Sequence, residues 1–81
     1  MSALKNNKIN TLVRALRNKG IVEFKHNRFF YEIFKSTDTG FVVSLYSSDD
    51  KNDEGEYIEA NLADGGLCSS TNEVDAIKFM L

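Results

Sequence analysis

Apolar residues near the N-terminus recur with the spacing of one face of an α-helix. Four of them stand at positions i, i+3, i+4 and i+7, namely Ile9, Leu12, Val13 and Leu16. Such a stripe predicts an amphipathic helix, and Gly20 is the type of residue that commonly ends one in the left-handed conformation. We therefore expect a helix over residues 3–19, with Ser2, Asn6 or Asn7 as its N-terminal cap.

The central part of the chain consists of short runs rich in apolar, aromatic and β-branched residues, which are typical of β-strands. These runs predict strands over residues 21–25, where apolar and polar residues alternate, and over 29–35 and 41–47. A turn that contains His26 at the surface joins the first two strands, and a turn ending at Gly40 joins the next two. Both faces of the second strand are mostly apolar, so it is either covered on both sides or carries an aromatic patch.

The second half of the chain contains its longest polar run. Residues 47–55 include no apolar side chain and predict a solvent-exposed, mobile loop. Alternation resumes over residues 56–62 and predicts a fourth strand. The Asp-Gly-Gly sequence at 64–66 predicts a tight turn or bulge, after which residues 67–69 form a short final strand.

The C-terminal residues predict a second helix over residues 72–81. Ser70 and Glu73 have the spacing of a capping box, and Thr71 is the other candidate cap. The expected buried stripe of this helix consists of Val74, Ile77, Met80 and Leu81.

These elements together predict an α+β fold formed by one domain over residues 1–81. An antiparallel sheet of three to five strands is flanked by an N-terminal and a C-terminal helix, in the order α-β-β-β-β-(β)-α. The turns between strands are too short for parallel crossovers. Both helices are therefore most simply placed on one face of the sheet.

Charge is distributed unevenly along the chain, although the net charge is only −2. Residues 1–36 carry eight basic and two acidic side chains, a net charge of +6. Residues 37–81 carry two basic and ten acidic side chains, a net charge of −8. Such asymmetry indicates an interaction surface, unless the two halves pack together and neutralise each other.

No motif in the chain predicts catalysis or a cofactor. Cys68 is the single cysteine and His26 the single histidine, and neither stands in a nucleophile signature. We expect Cys68 to be buried as a small apolar residue. A single thiol and the absence of a long apolar segment favour a protein of the cytoplasm, with no membrane partner. A small ribonuclease that uses His26 is the least favoured hypothesis.

The polar run contains a partial calcium-loop pattern. Asp50, Asn52, Glu54 and Gly55 occupy positions 1, 3, 5 and 6 of that pattern, but Asn61 stands at position 12, where a bidentate Glu is required. The expectation is therefore that the chain binds no metal.

The acidic run predicts a protein-binding surface. Its carboxylates can dock on a basic partner, and nearby tyrosines can anchor the contact. The candidate protein-binding residues are Asp49, Asp50, Asp53, Glu54, Glu56, Tyr46 and Tyr57. The expected partner is a larger protein or a nucleoprotein complex, and the alternative is a solvated loop that keeps the protein soluble.

The basic half of the chain supports a different hypothesis, a nucleic-acid-binding module built from the first helix and the first hairpin. Its candidate residues are Lys5, Lys8, Arg14, Arg17, Lys25 and Arg28. A homodimer, in which the basic surface of one chain meets the acidic surface of another, is also possible on electrostatic grounds.

The run LVRALRNKGIV at 12–22 resembles the start of HicA-type toxins, in which a short helix ends in glycine before the first strand. The predicted element order is similar to the double-stranded-RNA-binding fold on which those toxins are built. The chain departs from the toxins at 26–28, where it has His-Asn-Arg in place of Gly-Ser-His. It departs from the RNA-binding domains at 70–75, which is acidic where they carry a lysine cluster.

In size and style the chain also resembles small accessory proteins of phages and mobile elements, including anti-CRISPR and anti-restriction inhibitors. This resemblance implies a compact protein without an active site, whose acidic loops bind and block a larger host assembly.

Overall fold

The computed structural model of the chain describes residues 5–81 and shows an α+β fold. Its elements are α1 (Asn6–Lys19), β1 (Ile21–His26), β2 (Phe29–Lys35), β3 (Phe41–Tyr46), a 3-10 helix (Glu59–Asn61), β4 (Leu62–Cys68) and α2 (Glu73–Lys78). The four strands form one antiparallel sheet in the order β1-β2-β3-β4. The predicted fold class is therefore confirmed. No helix within residues 5–81 has the length and apolar character needed to cross a membrane.

Helix α1 buries the stripe that the sequence predicts. The core side of the helix consists of Ile9, Leu12, Val13 and Leu16. Gly20 ends it with φ of 76°, and its amide donates to the carbonyl oxygen of Leu16. The predicted caps Asn6 and Asn7 are wrong, because both lie inside the helix and the capping position is Lys5, which makes no side-chain capping bond. The third candidate cap, Ser2, lies outside the described residues.

Both helices pack on the same face of the sheet. Helix α1 contacts α2, β1 and β2, and the strands turn every second residue toward the helices. The buried strand residues are Val22, Phe24, His26, Tyr31, Ile33, Phe41, Val43, Leu45 and Cys68. Gly66 of β4 makes room for Phe79, because a Cβ atom at residue 66 would lie 2.9 Å from Cε2 of that ring.

The fourth strand differs from the prediction. Residues 56–61 do not form a strand; they contain an isolated bridge at Tyr57 and the 3-10 helix, and only Leu62 of the predicted strand belongs to β4. Strand β4 instead includes the two glycines that predicted a turn. The reason is pairing: residues 62–68 match β3 over its whole length, whereas a turn at 64–66 would leave only a three-residue return strand. Of the two alternatives for the Asp-Gly-Gly sequence, the turn is wrong, but a bulge does lie next to it. Leu45 pairs with Asp64 whereas Tyr46 pairs with Leu62, so the pairing register shifts at this point.

Strand β4 forms one edge of the sheet. On this strand the amide of Gly65 donates a hydrogen bond of 2.8 Å to Oδ1 of its neighbour Asp64. The amide of Gly65 on this edge strand is thus hydrogen-bonded to a side chain of the same strand.

Helix α2 is shorter than predicted, and its capping box is wrong. Asn72 is the cap, and its Oδ1 accepts the amide of Val74 at 2.9 Å. Ser70 instead donates to Oδ2 of Asp75 at 2.7 Å. Glu73 accepts from Arg17 of α1 at 2.9 Å, so this glutamate connects the two helices instead of closing a box.

The predicted stripe of α2 is only partly buried. Ile77 and the neighbouring Ala76 are completely buried, whereas Val74 and Met80 are half-buried and Leu81 is exposed. The helix stops at Lys78, so the last apolar residues lie beyond its regular turns.

Candidate protein-binding site

Neither α1 nor α2 covers the face of the sheet opposite the helices, which we call the open face. At one end of it the strand register aligns four apolar residues in a row across the sheet: Ile21, Phe34, Val42 and Leu67. Phe34 and Val42 are half-buried, whereas Leu67 is 74% exposed and Ile21 is 40% exposed. We call these four residues the apolar row. Neither α1 nor α2 covers this side of β2, which favours the second alternative for that strand, but the row is apolar with Phe34 as its one aromatic residue.

The middle and the other end of the open face are polar and aromatic. In the middle, Glu23 of β1 lies directly opposite Glu32 of β2. At the far end, Phe30 of β2 pairs with Tyr46 of β3. Like charges directly opposite each other are unfavourable in a sheet, so the two glutamates need compensation from elsewhere in the molecule.

The segment over residues 47–58, which we call the acidic loop, is a small hairpin. Lys51 and Tyr57 form an antiparallel bridge, and the amide of Asn52 donates to the carbonyl oxygen of Glu56 at 2.8 Å. Oδ1 of Asn52 accepts the amides of Glu54 at 2.9 Å and Glu56 at 3.0 Å. Residues 47–55 are exposed, as predicted, apart from the half-buried Ser48, and these bonds give the segment a defined shape.

Contacts to the strands hold the acidic loop on the open face. Nζ of Lys51 lies 2.7 Å from Oε1 of Glu23 and 4.7 Å from the ring centroid of Tyr57. The Tyr57 ring stacks on Tyr46, with centroids 4.6 Å apart and planes 17° from parallel. One cation thus compensates Glu23 and simultaneously contacts an aromatic ring.

Between the loop and the sheet lies a cleft of about 310 Å³. We call it the acidic cleft, and its lining is Glu32, Tyr46, Glu56, Tyr57, Glu59 and Leu62. Burial raises the pKa of Glu32, and the neighbouring carboxylates of Glu23 and Glu56 raise it further, while Lys51 opposes them. Burial and, next, the charge of Glu32 raise the pKa of Tyr46. The cleft therefore has an aromatic wall and a negative potential.

Three of the seven candidate protein-binding residues line the acidic cleft, and the other four are exposed on the acidic loop. Tyr46, Tyr57 and Glu56 line the acidic cleft, while Asp53 and Glu54 occupy the turn at the tip of the loop. The remaining two, Asp49 and Asp50, are exposed in the first half of the loop.

The sequence reasoning missed Glu23 and Glu32 as members of this surface. Both stand on the polar side of a predicted strand, so the alternation indicates that they share a face. Their approach to each other and to the loop depends on the strand register and on the path of residues 47–58, which no local pattern specifies.

The candidate nucleic-acid-binding residues are spread over several surfaces. Lys8 and Arg14 are exposed on α1 but point about 120° apart around it. Arg17 is paired with Glu73. Lys25 lies on the open face, with Nζ 5.5 Å from the Phe30 ring centroid, on the other side of the sheet from α1. The last two, Lys5 and Arg28, are exposed at the start of α1 and in the β1–β2 turn.

The prediction that His26 lies at the surface is wrong. Alternation continues one residue further along β1 than expected, so His26 shares the helix-facing side with Phe24 and is 8% exposed. Its ring centroid lies 6.3 Å from that of Tyr31. The turn itself consists of Asn27, with φ of 58°, and Arg28.

Cys68 is buried, as expected. His26 lies at one end of β1 and pairs with Phe29, whereas Cys68 lies in β4 and pairs with Phe41 at the opposite end of the sheet. Three strand spacings alone separate them by about 14 Å. At this distance Cys68 and His26 cannot act together as a catalytic nucleophile and its general base.

Two further observations concern other kinds of site. Within residues 5–81 no three His, Cys, Asp or Glu side chains come together as a set that could hold a metal ion. A larger groove of about 600 Å³ lies between the β1–β2 turn and the residues after α2, lined by Arg28, Phe29 and Met80 among others. Of the candidate residues it contains only Arg28.

No family model, curated protein or solved structure matches the chain.

Proposed function

We propose that the protein is a small non-enzymatic binding protein, of the kind that phages encode as inhibitors, which docks on a larger host protein or nucleoprotein complex. The contact surface is the acidic loop with the adjoining acidic cleft. We further propose that the protein acts in the cytoplasm. Cys68 is its single cysteine, and an unpaired thiol is compatible with the reducing conditions there.

One observation carries the proposal: the acidic loop is folded onto the open face so that the stacked pair Tyr46 and Tyr57 stands among carboxylates. Buried aromatic side chains contribute much of the binding energy at protein interfaces. Surrounding charges of one sign accelerate the encounter with an oppositely charged partner and exclude like-charged ones. A solvated loop needs neither the stacked rings nor the ion pair of Lys51 with Glu23.

The proposal is tested by reversing the charge of the loop. In the first step the protein is used as bait in a bacterial lysate, at low and high salt, with and without nuclease. The retained protein is then purified and its affinity is measured for a variant in which four acidic residues are replaced by Lys: Asp49, Asp50, Asp53 and Glu54. We expect this variant to lose binding, and unchanged affinity would contradict the proposal.

A matched pair of single substitutions separates a local effect from net charge. Asp53→Lys and Asp38→Lys change the charge equally, but Asp53 is at the tip of the loop and Asp38 lies in the exposed turn between β2 and β3. We expect Asp53→Lys to weaken binding and Asp38→Lys to leave it nearly unchanged. Equal losses would mean that only the total charge of the protein matters.

Nucleic-acid binding through the basic residues is the second candidate. One observation favours it: among the six candidate residues, only Arg17 makes an ion pair within the described chain. The same lysate experiment distinguishes this candidate. Retention that disappears with nuclease or with modest salt indicates phosphate contacts, which weaken steeply as salt increases. Retention that survives nuclease supports the protein-docking proposal.

A further inference from the structure

No part of the described chain, residues 5–81, covers the apolar row. The helices cover only the opposite face of the sheet, and the acidic loop contacts the middle and far end of the open face through Glu23 and Tyr46. Leu67 therefore remains 74% exposed beside Val42 and Phe34. Contiguous apolar patches on soluble proteins commonly mark contact sites.

The acidic cleft has an excess of negative charge. Glu32, Glu56 and Glu59 line it, and Glu23 lies opposite Glu32. Within residues 5–81, the only ion pair that these four carboxylates make is the one between Glu23 and Lys51. Crowding of like charges raises the pKa of Glu32 in addition to the effect of burial. A cation brought in by a partner would relieve this repulsion.

The molecule already shows how this surface holds a cation. Lys51 places its ammonium group between a carboxylate of Glu23 and the ring of Tyr57. Glu32 and Tyr46, on the next two strands, offer the same combination of carboxylate and aromatic ring to the cleft. A guanidinium group fits such a combination particularly well, because it is planar, stacks on rings and donates paired hydrogen bonds to carboxylates.

We propose that the docking partner inserts an arginine side chain into the acidic cleft while an apolar side chain of the same segment covers the apolar row. This inference rests on the proposed function and specifies the chemistry of its partner. Phe34 belongs to the apolar row, and Phe30, four residues earlier on β2, pairs with Tyr46 of the cleft. The two anchors of the partner therefore stand about 13 Å apart.

A blocked peptide of sequence Leu-Thr-Thr-Thr-Arg is the probe, since in extended form it spans this distance. Two matched peptides replace Arg by the neutral isostere citrulline, or Leu by Ala. Binding is followed by nuclear magnetic resonance titration of the isotope-labelled protein. We expect saturable shifts at Tyr46, Tyr57 and Leu67, and an affinity at least about tenfold lower for the citrulline peptide.

Protein variants test the two anchors separately. We expect Glu32→Gln to lower the affinity for the Arg peptide and to leave the affinity for the citrulline peptide unchanged. We expect Leu67→Ser to weaken the Leu peptide, with Leu81→Ser as the matched control, because Leu81 is also exposed but lies outside the open face. Equal binding of the Arg and citrulline peptides, shifts elsewhere on the protein, or no saturable shift overturns the inference.

The same variants separate this inference from the proposed function. One outcome is that charge reversal of the loop abolishes binding of the partner isolated in the lysate experiment, while Glu32→Gln and Leu67→Ser leave that binding unchanged. In that case the inference fails and the proposed function stands. If none of these substitutions changes the affinity for the partner, the inference and the proposed function both fail. A concentration-dependent dimer that Leu67→Ser dissociates would show that a second copy covers the apolar row, and it also overturns the inference.

Discussion

Gly40 is the residue whose replacement the fold tolerates least among the glycines with positive φ. Its φ is 93°, and an added Cβ atom would collide with the carbonyl oxygen of Cys68 on the neighbouring strand. Gly20 also has positive φ, at 76°, but open space surrounds the position of its missing Cβ. Substitutions at these two glycines therefore distinguish the free-energy cost of the backbone conformation from the cost of a steric collision.

We expect Gly40→Ala to lower the free energy of unfolding by more than about 3 kcal/mol, because the collision adds to the conformational cost. Gly20→Ala should cost only about 1 to 2 kcal/mol. Urea denaturation of both variants measures the difference. Equal losses would show that β3 and β4 can separate at Gly40 without penalty.

The charge of Glu32 opposes folding. Its pKa is raised in the folded protein, by burial first and then by Glu23 and Glu56. The folded state therefore binds the proton more tightly than the unfolded state does. The free energy of unfolding consequently falls as pH rises from the ordinary glutamate pKa through the raised one.

We expect Glu32→Gln to stabilise the free protein at neutral pH by up to about 0.5 kcal/mol, a small value because the carboxylate is partly solvated. The gain should vanish below about pH 4, where Glu32 is protonated in both states. Urea denaturation over a pH series tests this, with Glu54→Gln at the exposed loop tip as control. A variant less stable than the parent at neutral pH would contradict the assignment.

At the scale of elements, we expect the acidic loop to open without unfolding the sheet. Its attachment consists of the Lys51 to Glu23 ion pair and the stack of Tyr57 on Tyr46. Both ion-pair partners are substantially exposed, so the pair is weak and is screened by salt.

We expect Lys51→Met to increase amide hydrogen exchange over residues 50–58 by up to about fivefold while the free energy of unfolding changes by less than about 1 kcal/mol. Methionine keeps the length of the side chain and removes its charge. Lys8→Met, on the exposed side of α1, is the matched control and should leave this exchange unchanged. Faster exchange in β1 as well would mean that the loop and the strand open together.

The elements that the sequence predicts correctly are those with a strong hydrophobic period. Helix α1 and strands β1 to β3 agree with the prediction within a residue or two over the described chain. The failures occur where glycines and short alternations dominate. Residues 56–61 alternate without forming a strand, because β3 pairs with residues 62–68 instead. Non-local pairing makes this choice.

At the scale of the whole molecule, the uneven charge of the sequence becomes a three-dimensional arrangement that no charge count predicts. The sequence indicates the acidic loop and its tyrosines, but Glu23 and Glu32 come from the half of the chain with a net charge of +6. They join the acidic surface because the register places them opposite each other on the open face. Residues from both halves of the chain therefore contribute to the acidic surface on the open face.

The same arrangement explains why the basic residues do not form a single surface. The sheet separates α1 from Lys25, and Arg17 is used to connect the two helices. A binding surface formed by the sheet can combine apolar and charged rows, whereas a narrow helix face can present fewer residues at once.

The hydrogen bond from the amide of Gly65 to Asp64 has a consequence for self-association. Edge strands with free amides are templates on which strands of other molecules can add, and they seed fibrils. In β4 one such amide is occupied and a carboxylate stands beside it, which discourages strand addition at this edge. At the β4 edge the amide of Gly65 is therefore not free to pair with an added strand, although the apolar row on the face of the sheet is exposed.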